Sequence, residues 1–181
     1  MLFRSLFRNI IDWFGFRLFP ALYERSAGRV RAAEMLNGVC VMLRAEAIRE
    51  VGAFDQHFFM YVEDADLGLR LRKAGWQLAY VPIDSIVHLQ KTTDYDLFSR
   101  TSLLLRRNSV YFLQKHRRPV QACTLAAANL ALMLLRACAA TSAEEFRRRF
   151  SFLRALWREL RDVLWLTSSS KSAGPTLSQP R

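Results

Sequence analysis

The stretch GAFDQHFFMYVEDADLGLR, residues 52–70, is the most informative part of the chain. It places three acids, Glu63, Asp64 and Asp66, within four positions at the start of a predicted helix over residues 64–74. The N-terminus of a helix favours negative charge by roughly 0.3–1 kcal/mol per charge. Gly75 is a typical helix stop and follows the basic last turn of this segment. The acids are therefore expected to cluster at one end of a short helix.

Aromatic side chains come directly before these acids. Phe58, Phe59 and Tyr61 are expected to shield the carboxylates from water. A carboxylate in such surroundings is suited to act as a general base. The alternative is that each acid simply caps the helix. Asp66 is expected to be mainly structural, because it precedes Arg70 by four residues and the two can pair across one helical turn.

The flanking segments predict an α/β fold. Residues 37–43 read as a short buried strand, 45–51 as a helix ended by a glycine, 77–81 as a strand stopped by a proline, and 86–88 as another strand. So few strands do not close an independent sheet. We expect an incomplete sheet that takes its remaining strands from elsewhere.

The chain resembles family 2 glycosyltransferases of the rhamnosyltransferase-like kind, which have a GT-A type fold. The resemblance covers residues 37–88 in order, spacing and aromatic content, with a weaker echo at Tyr111 and Lys115. The matching positions are Gly38, Arg44, Val51, Gly52, Ala53, Phe54, Asp55, Phe58, Phe59, Met60, Tyr61, Glu63, Asp64, Ala65, Asp66, Leu67, Arg70, Gly75, Pro82, Ile86 and His88.

The resemblance implies a role for several of these residues. Asp64 matches the base of an inverting transfer, and Glu63 would orient the acceptor or tune that base. His88 matches a residue of the metal–diphosphate site, although a lone histidine at a strand end is also a common structural group. The implied acceptor-binding residues are Phe54, Asp55, Phe58, Phe59, Tyr61, Asp66 and Arg70.

A donor-binding half is expected to be missing from this segment. Enzymes of this kind hold a divalent cation, Mg²⁺ or Mn²⁺, on the donor diphosphate with an Asp-x-Asp motif. Only residues 1–36 precede the first predicted strand, and the triplets Asp64-Ala-Asp66 and Asp94-Tyr-Asp96 stand in the wrong places for that motif. The sequence therefore indicates the C-terminal, acceptor-side part of a glycosyltransferase, inactive alone. A non-enzymatic acceptor-binding or scaffold subunit that complements a separate donor-binding chain is the alternative.

The chain divides into five predicted segments. Residues 1–30 form an amphipathic helix and linker, 31–93 the acceptor-side part, and 94–119 a helical extension. Residues 120–166 contain an apolar stretch and a basic amphipathic helix, and the tail 167–181 is expected to be disordered.

The segment 120–166 predicts contact with a membrane. Its apolar stretch, residues 120–135, is short against the ~20 residues that span a bilayer. Residues 144–166 combine Phe and Trp with arginines, a pattern typical of helices that lie in the lipid interface. A spanning helix and plain packing are the alternatives. The expected location is the cytoplasmic face of a bacterial inner membrane, with a lipid-linked saccharide as acceptor and a nucleotide-sugar as donor.

Composition supports an anionic partner. The formal net charge is +11 and 51% of residues are hydrophobic. Helix-turn-helix, zinc and RNP motifs are absent, so no nucleic-acid partner is expected. The three cysteines, at positions 40, 123 and 138, lack metal-ligand spacing and are expected to be buried thiols in a reducing compartment.

Overall fold

The computed structural model describes residues 30–33, 35, 38–82 and 96–169, the last four of them by backbone only. The chain separates into two compact units, residues 1–93 and 94–181. The predictions for the helix in residues 1–30, the strand at 86–88, His88 and the tail after residue 169 lie outside the described residues.

The described residues of the first unit form two helices and a very small sheet. Strand β1 (Arg31–Ala32) pairs antiparallel with β2 (Ala79–Tyr80), and helices α1 (Ala45–Val51) and α2 (Glu63–Lys73) lie between them in the chain. The α/β expectation is thus met only by a two-stranded sheet within a mostly helical structure. A GT-A sheet is not seen in the described residues and stays a prediction.

The predicted strand at residues 37–43 is wrong for the residues described there. Residues 38–40 form a turn and bend, and 41–44 are irregular. A strand needs a neighbour to accept and donate its backbone hydrogen bonds. The pairing that this part of the chain provides is β1 with β2, extended by the Ala33 N–H, which donates to the Leu78 carbonyl at 2.8 Å. The strand predicted at 77–81 is confirmed at its centre.

A small apolar core holds the two helices of this unit together. It comprises the buried residues Ala47, Leu67, Leu71 and Leu78. Leu67 and Leu71 are four residues apart and face the core, whereas Leu69 is only half-buried. Trp76 packs against the cluster and its Nε1–H donates to a Glu50 oxygen at 2.8 Å.

The second unit is a three-helix arrangement. Helices α3 (Arg100–Lys115), α4 (Pro119–Cys138) and α5 (Ala143–Ser169) pack against each other in all three pairs. Ser99 caps α3 through its hydroxyl, which accepts from the Ser102 N–H at 3.2 Å. Pro119 begins α4 at a position where its missing N–H costs nothing.

Helix α4 is longer than the sixteen apolar residues that the sequence indicated. Its 20 residues have a mean hydropathy of 1.5 in the most apolar window, so in the described ranges it alone is long and apolar enough to cross a membrane. One stripe of it packs inward, at Ala122, Ala126, Asn129, Met133 and Ala137. Ala127, Ala131, Leu134 and Leu135 are exposed on the remaining surface. The helix therefore has an apolar outer face as well as a buried one.

The predicted apolar face of α5 is divided between two environments. Leu156, Leu160 and Val163 are buried in the three-helix core. Phe146, Phe150 and Trp157 are exposed instead. Packing, one of the alternatives raised from the sequence, therefore accounts for part of the stripe. An apolar pattern shows which residues avoid water but not which neighbour covers them.

All three cysteines are exposed, contrary to the expectation of buried thiols. Cys123 and Cys138 lie on α4, outside the stripe that packs on α3 and α5. The apolar outer face of this helix accounts for the error, because the burial of α4 is confined to one stripe.

A buried polar contact joins α3 to α4. The Arg106 guanidinium is 5% exposed and donates through Nη1 to Asn129 Oδ1 and through Nε to Ser102 Oγ at 3.2 Å. Burial, followed by the charge of Arg136, lowers the pKa of Arg106 to about 10. Asn129 is itself fixed by donating to the Leu125 carbonyl at 2.9 Å.

Replacing Asn129 by leucine should destabilise the helical unit. The buried guanidinium of Arg106 loses an acceptor, which should lower the free energy of unfolding by about 1.5–3 kcal/mol. Urea unfolding followed by far-ultraviolet circular dichroism measures the change. Thr124→Val removes an exposed hydroxyl from the same helix and should change stability by less than about 0.5 kcal/mol. Equal losses in the two variants would contradict a specific role for the Arg106–Asn129 contact.

Candidate functional site

The acidic end of α2 follows a strained turn. Tyr61 has φ 69° and Val62 has φ 73°, both in the left-handed region. A β-branched residue is rarely found there, and such conformations cost about 1–3 kcal/mol each. Val62 is the residue just before the helix, and it provides no side-chain cap. The turn therefore sets the direction in which the following acids leave the loop.

The Asp64 carboxylate is held by two backbone N–H groups. Its Oδ2 accepts from Gly38 at 2.9 Å, and its Oδ1 accepts from Ala65 at 2.7 Å. The first bond links the start of α2 to a turn 26 residues earlier. Asp64 is half-buried. Each carboxylate oxygen has a further lone pair, so the group retains the capacity to accept a hydrogen from a bound molecule.

Glu63 has one oxygen that is buried without a partner. Among the residues that the structure describes, nothing donates a hydrogen bond to its Oε2. Such atoms are uncommon in native proteins, where buried polar groups are nearly always hydrogen-bonded. Glu63 therefore lies beside Asp64 with an acceptor atom for which the described residues supply no hydrogen-bonding partner.

Asp66 and Arg70 form the framework beneath this acidic end. Asp66 is completely buried, and its Oδ2 accepts from Arg70 Nε at 2.8 Å, the pairing that the four-residue spacing predicted. Arg70 also donates to the carbonyls of Val51 at 2.6 Å, Gly52 at 3.0 Å and Ala53 at 2.6 Å. These bonds tie the loop after α1 to α2. The acceptor contact implied for Asp66 and Arg70 stays a prediction.

The expectation that the aromatic loop shields the acids from water is met only in part. Phe58 is 5% exposed and Tyr61 is half-buried, but Phe59 is 74% exposed. The prediction that Phe59 shields the acids is therefore wrong for this conformation, because its ring faces solvent. Phe54 is also exposed, although less so. Two aromatic side chains are thus available to a ligand at the surface.

Asp55 organises the turn in this loop. Its Oδ1 accepts from the His57 N–H at 2.9 Å and lies 2.9 Å from His57 Nδ1. The Phe58 N–H donates to the Asp55 carbonyl at 3.0 Å. The carboxylate therefore stabilises a turn locally. The acceptor contact implied for Phe54 and Asp55 stays a prediction.

The described residues do not fit a divalent cation. Within them, no group of three or more His, Cys, Asp or Glu side chains comes together to hold a metal ion. Asp66 is neutralised by Arg70, and both oxygens of Asp64 accept backbone hydrogen bonds. The cation expected for the complete enzyme, and His88 as its ligand, stay predictions.

The strained turn was not predictable from residue type. Tyr and Val are not residues that favour a left-handed backbone, so nothing at positions 61 and 62 signals it. The carbonyl acceptors of Arg70 were also missed, since backbone contacts over 17 to 19 residues leave no trace in side-chain type. Gly38, in contrast, is one of the positions that carry the family resemblance, and its N–H donates to Asp64.

Comparison with known proteins gives a family match and two partial relatives. The family model described as "Glycosyl transferase family group 2" matches residues 21–167. An N-acetylglucosaminyl-diphospho-decaprenol L-rhamnosyltransferase, found in two strains of Mycobacterium tuberculosis, is 46% identical over 65 residues, which are 36% of this chain and 21% of the relative. Rhamnosyltransferase WbbL of Escherichia coli is 34% identical over 80 residues, 44% of this chain and 30% of the relative. The similarities thus cover between a fifth and a third of the relatives' lengths. No solved structure gives a significant match.

Arg70→Ala should destabilise the first unit strongly. It leaves the fully buried Asp66 charge unpaired and frees three carbonyls, which should lower the free energy of unfolding by about 3–5 kcal/mol. Hydrogen exchange of the α1 and α2 amides measures this change. Arg49→Ala removes an arginine of α1 whose 3.6 Å pair with Glu46 is exposed, and it should alter protection by less than about 0.5 kcal/mol. Comparable protection in Arg70→Ala and the unaltered chain would show that Arg70 does not hold the loop.

Val62→Gly should stabilise the first unit if left-handed strain outweighs lost packing. Glycine adopts φ 73° freely, so the free energy of unfolding should rise by about 1 kcal/mol. Val39→Gly is the matched control, because Val39 is exposed and does not have a positive φ. That control should lower stability slightly through the greater freedom of the unfolded chain. The same hydrogen-exchange measurement applies, and a loss of protection in Val62→Gly would argue against strain at this turn.

Proposed function

The chain belongs to glycosyl transferase family group 2, as the resemblance of residues 37–88 predicted, and on this premise we propose that it forms the acceptor-side part of an inverting sugar transferase. The donor is a nucleotide-sugar and the acceptor a saccharide hydroxyl. The observation that carries the proposal is the Asp64 carboxylate, held at the end of α2 by the Gly38 N–H. A base that is fixed in place needs no reorganisation when the acceptor arrives.

Asp64 takes the acceptor proton in this proposal. As the hydroxyl oxygen attacks the anomeric carbon, its proton passes to the carboxylate. The bond from that carbon to the diphosphate breaks, and the electron pair leaves with the nucleotide diphosphate. Attack from the opposite face inverts the anomeric configuration. Donor binding and stabilisation of the leaving group are functions of residues outside the described acidic site.

Glu63 positions the acceptor rather than removing its proton. Its carboxylate, one oxygen of which has no partner among the described residues, is suited to accept a hydrogen bond from a second hydroxyl of the same sugar. Phe59 and Phe54 present exposed rings beside this end of the loop, and apolar faces of sugars stack on such rings. Together these groups favour a saccharide as the acceptor.

The relatives suggest the chemical class of both substrates. Both names specify rhamnosyl transfer, and one specifies L-rhamnose and an acceptor named N-acetylglucosaminyl-diphospho-decaprenol. We extend both to this chain, with an L-rhamnosyl donor and a lipid-linked amino sugar as acceptor. An acceptor of this kind resides in a membrane, and exposed Phe and Trp beside arginines on α5 suit the lipid interface. The proposed location is the cytoplasmic face of a bacterial inner membrane.

A second function uses the same surface without catalysis. In it the chain binds the acceptor at the acidic end of α2 and complements a separate donor-binding polypeptide. The two functions differ in whether a change at Asp64 affects the chemical step.

The test is a transfer assay with a donor-binding part supplied. The chain is assayed alone and with the nucleotide-binding part of the Escherichia coli relative fused ahead of residue 31. Nucleotide-activated L-rhamnose is the donor and N-acetylglucosaminyl-diphospho-lipid the acceptor. We expect transfer only by the fusion. Asp64→Asn should lower its kcat by about 10²–10⁴-fold with little change in the acceptor KM.

Two further variants make the result specific. Glu63→Gln should raise the acceptor KM more than it lowers kcat, because Glu63 is proposed to bind rather than react. Glu46→Gln changes an exposed carboxylate of the same unit and should leave both parameters as they are. Undiminished kcat in Asp64→Asn would refute the base and favour the scaffold function. Transfer by the chain alone would refute the need for a separate donor-binding part.

A further inference from the structure

A continuous apolar groove runs between α4 and α5. Its larger part encloses about 640 Å³, within the ~300–1,000 Å³ typical of ligand pockets. A second part of about 310 Å³ adjoins it, and both share Leu130 and Trp157. The remaining apolar lining of the larger part consists of Ala131, Leu134, Phe150 and Leu153. Trp157 is 55% exposed and lines both parts of the groove. The groove therefore offers a long apolar channel that opens to the surface.

Two arginines line the groove one helical turn apart. Arg154 and Arg158 belong to the lining, and both are exposed. Like charges at this spacing repel each other and slightly destabilise a helix. In the described part of the chain neither is paired with a carboxylate. Arg154 lies over the Phe150 ring at 5.4 Å, and Arg158 donates weakly to the Arg154 carbonyl at 3.4 Å.

The acids nearest to them along α5 have other partners. Glu159 pairs with Arg107 of α3 at 3.1 Å, and Asp162 pairs with Arg161 at 2.9 Å. The groove is therefore positively charged at Arg154 and Arg158, with no acid of the same helix available to neutralise it. This combination of an apolar channel and two uncompensated guanidinium groups is complementary to an amphiphile with an anionic head and a single long apolar chain.

We propose that the α4–α5 groove binds the lipid part of the acceptor, an isoprenoid diphosphate. The diphosphate lies on Arg154 and Arg158, and the isoprenoid chain extends over Leu130, Leu134 and Trp157. This inference rests on the proposed function, and it assigns the acceptor lipid to residues of α4 and α5. Guanidinium groups bind phosphate oxygens in pairs, which suits a diphosphate better than a single charge.

Equilibrium binding to the full chain tests the groove without any donor. The probes are farnesyl diphosphate, inorganic diphosphate, farnesol and vesicles containing phosphatidylglycerol, with farnesyl diphosphate kept below its micelle concentration. We expect farnesyl diphosphate to bind about tenfold or more tightly than either inorganic diphosphate or farnesol, because head and chain are bound together. The double variant Arg154→Gln/Arg158→Gln should weaken its binding about tenfold or more.

The matched control removes the same charge elsewhere. Arg117→Gln/Arg118→Gln alters two adjacent exposed arginines between α3 and α4, outside the groove, and should change binding less than about twofold. Trp157→Ala should weaken the binding of farnesyl diphosphate but leave the binding of inorganic diphosphate unchanged. Circular dichroism establishes that each variant is folded.

Several results would overturn the inference. Equal weakening by the two double variants would show a general charge effect. Binding to phosphatidylglycerol vesicles without saturable binding of farnesyl diphosphate would make the face a membrane-docking surface instead. Binding of farnesol as tightly as farnesyl diphosphate would remove the role of the arginines.

The inference and the proposed function fail in different assays. Asp64→Asn should retain farnesyl diphosphate binding while it loses transfer. In the active fusion, Arg154→Gln/Arg158→Gln should raise the KM for the lipid-linked acceptor by about tenfold and leave kcat nearly unchanged. Groove binding without transfer in any fusion would refute the proposed function and leave the lipid site standing. Transfer that the groove variants do not affect would refute the lipid site and leave the proposed function standing.

Discussion

The guanidinium of Arg70 determines how the first unit is held together. It pairs with the fully buried Asp66 one helical turn away and donates to three successive carbonyls that begin with the last residue of α1. A planar cation with five donors satisfies such a set where lysine would not. Because the same helix carries Asp66, Asp64 and Glu63, fixing the loop against α2 also fixes the acidic end. The position of Asp64, the candidate base, thus depends on the contact between Asp66 and Arg70 of the same helix.

Strain and support occur together at this end of α2. The left-handed backbone at Tyr61 and Val62 is unfavourable for both residues, and it persists because neighbouring contacts hold the chain on either side. Asp64 bonds to Gly38 before this turn in the chain, and Arg70 bonds to residues 51–53. An unpartnered Glu63 oxygen beside them adds a second unfavourable feature. Concentrated local cost of this kind is typical of ligand sites.

The helical unit shows how one apolar pattern serves two purposes. The inward stripes of α4 and α5 form a core with α3, in which Arg106 and Asn129 satisfy each other. The outward residues Leu134, Phe150 and Trp157 are left at the surface beside uncompensated arginines. The three-helix core does not require these exposed groups. Exposed apolar residues of this kind mark interaction surfaces, so the outer face of α4 and α5 is suited to bind a lipid.

The sequence by itself determined the local elements and the family. Helices α1 and α2 end where Gly52 and Gly75 permit φ 80° and φ 91°, and their bounds lie within a residue of those predicted, because helix ends follow local chemistry. The acid cluster and the Asp66–Arg70 pair follow from spacing for the same reason.

Only the tertiary structure decided that residues 38–43 are not a strand, that Phe59 is exposed, that Tyr61 and Val62 are strained, and which half of the α5 stripe is buried. Each of these depends on neighbours distant in the chain, and residue type records a tendency to avoid water but not the identity of the group that covers it.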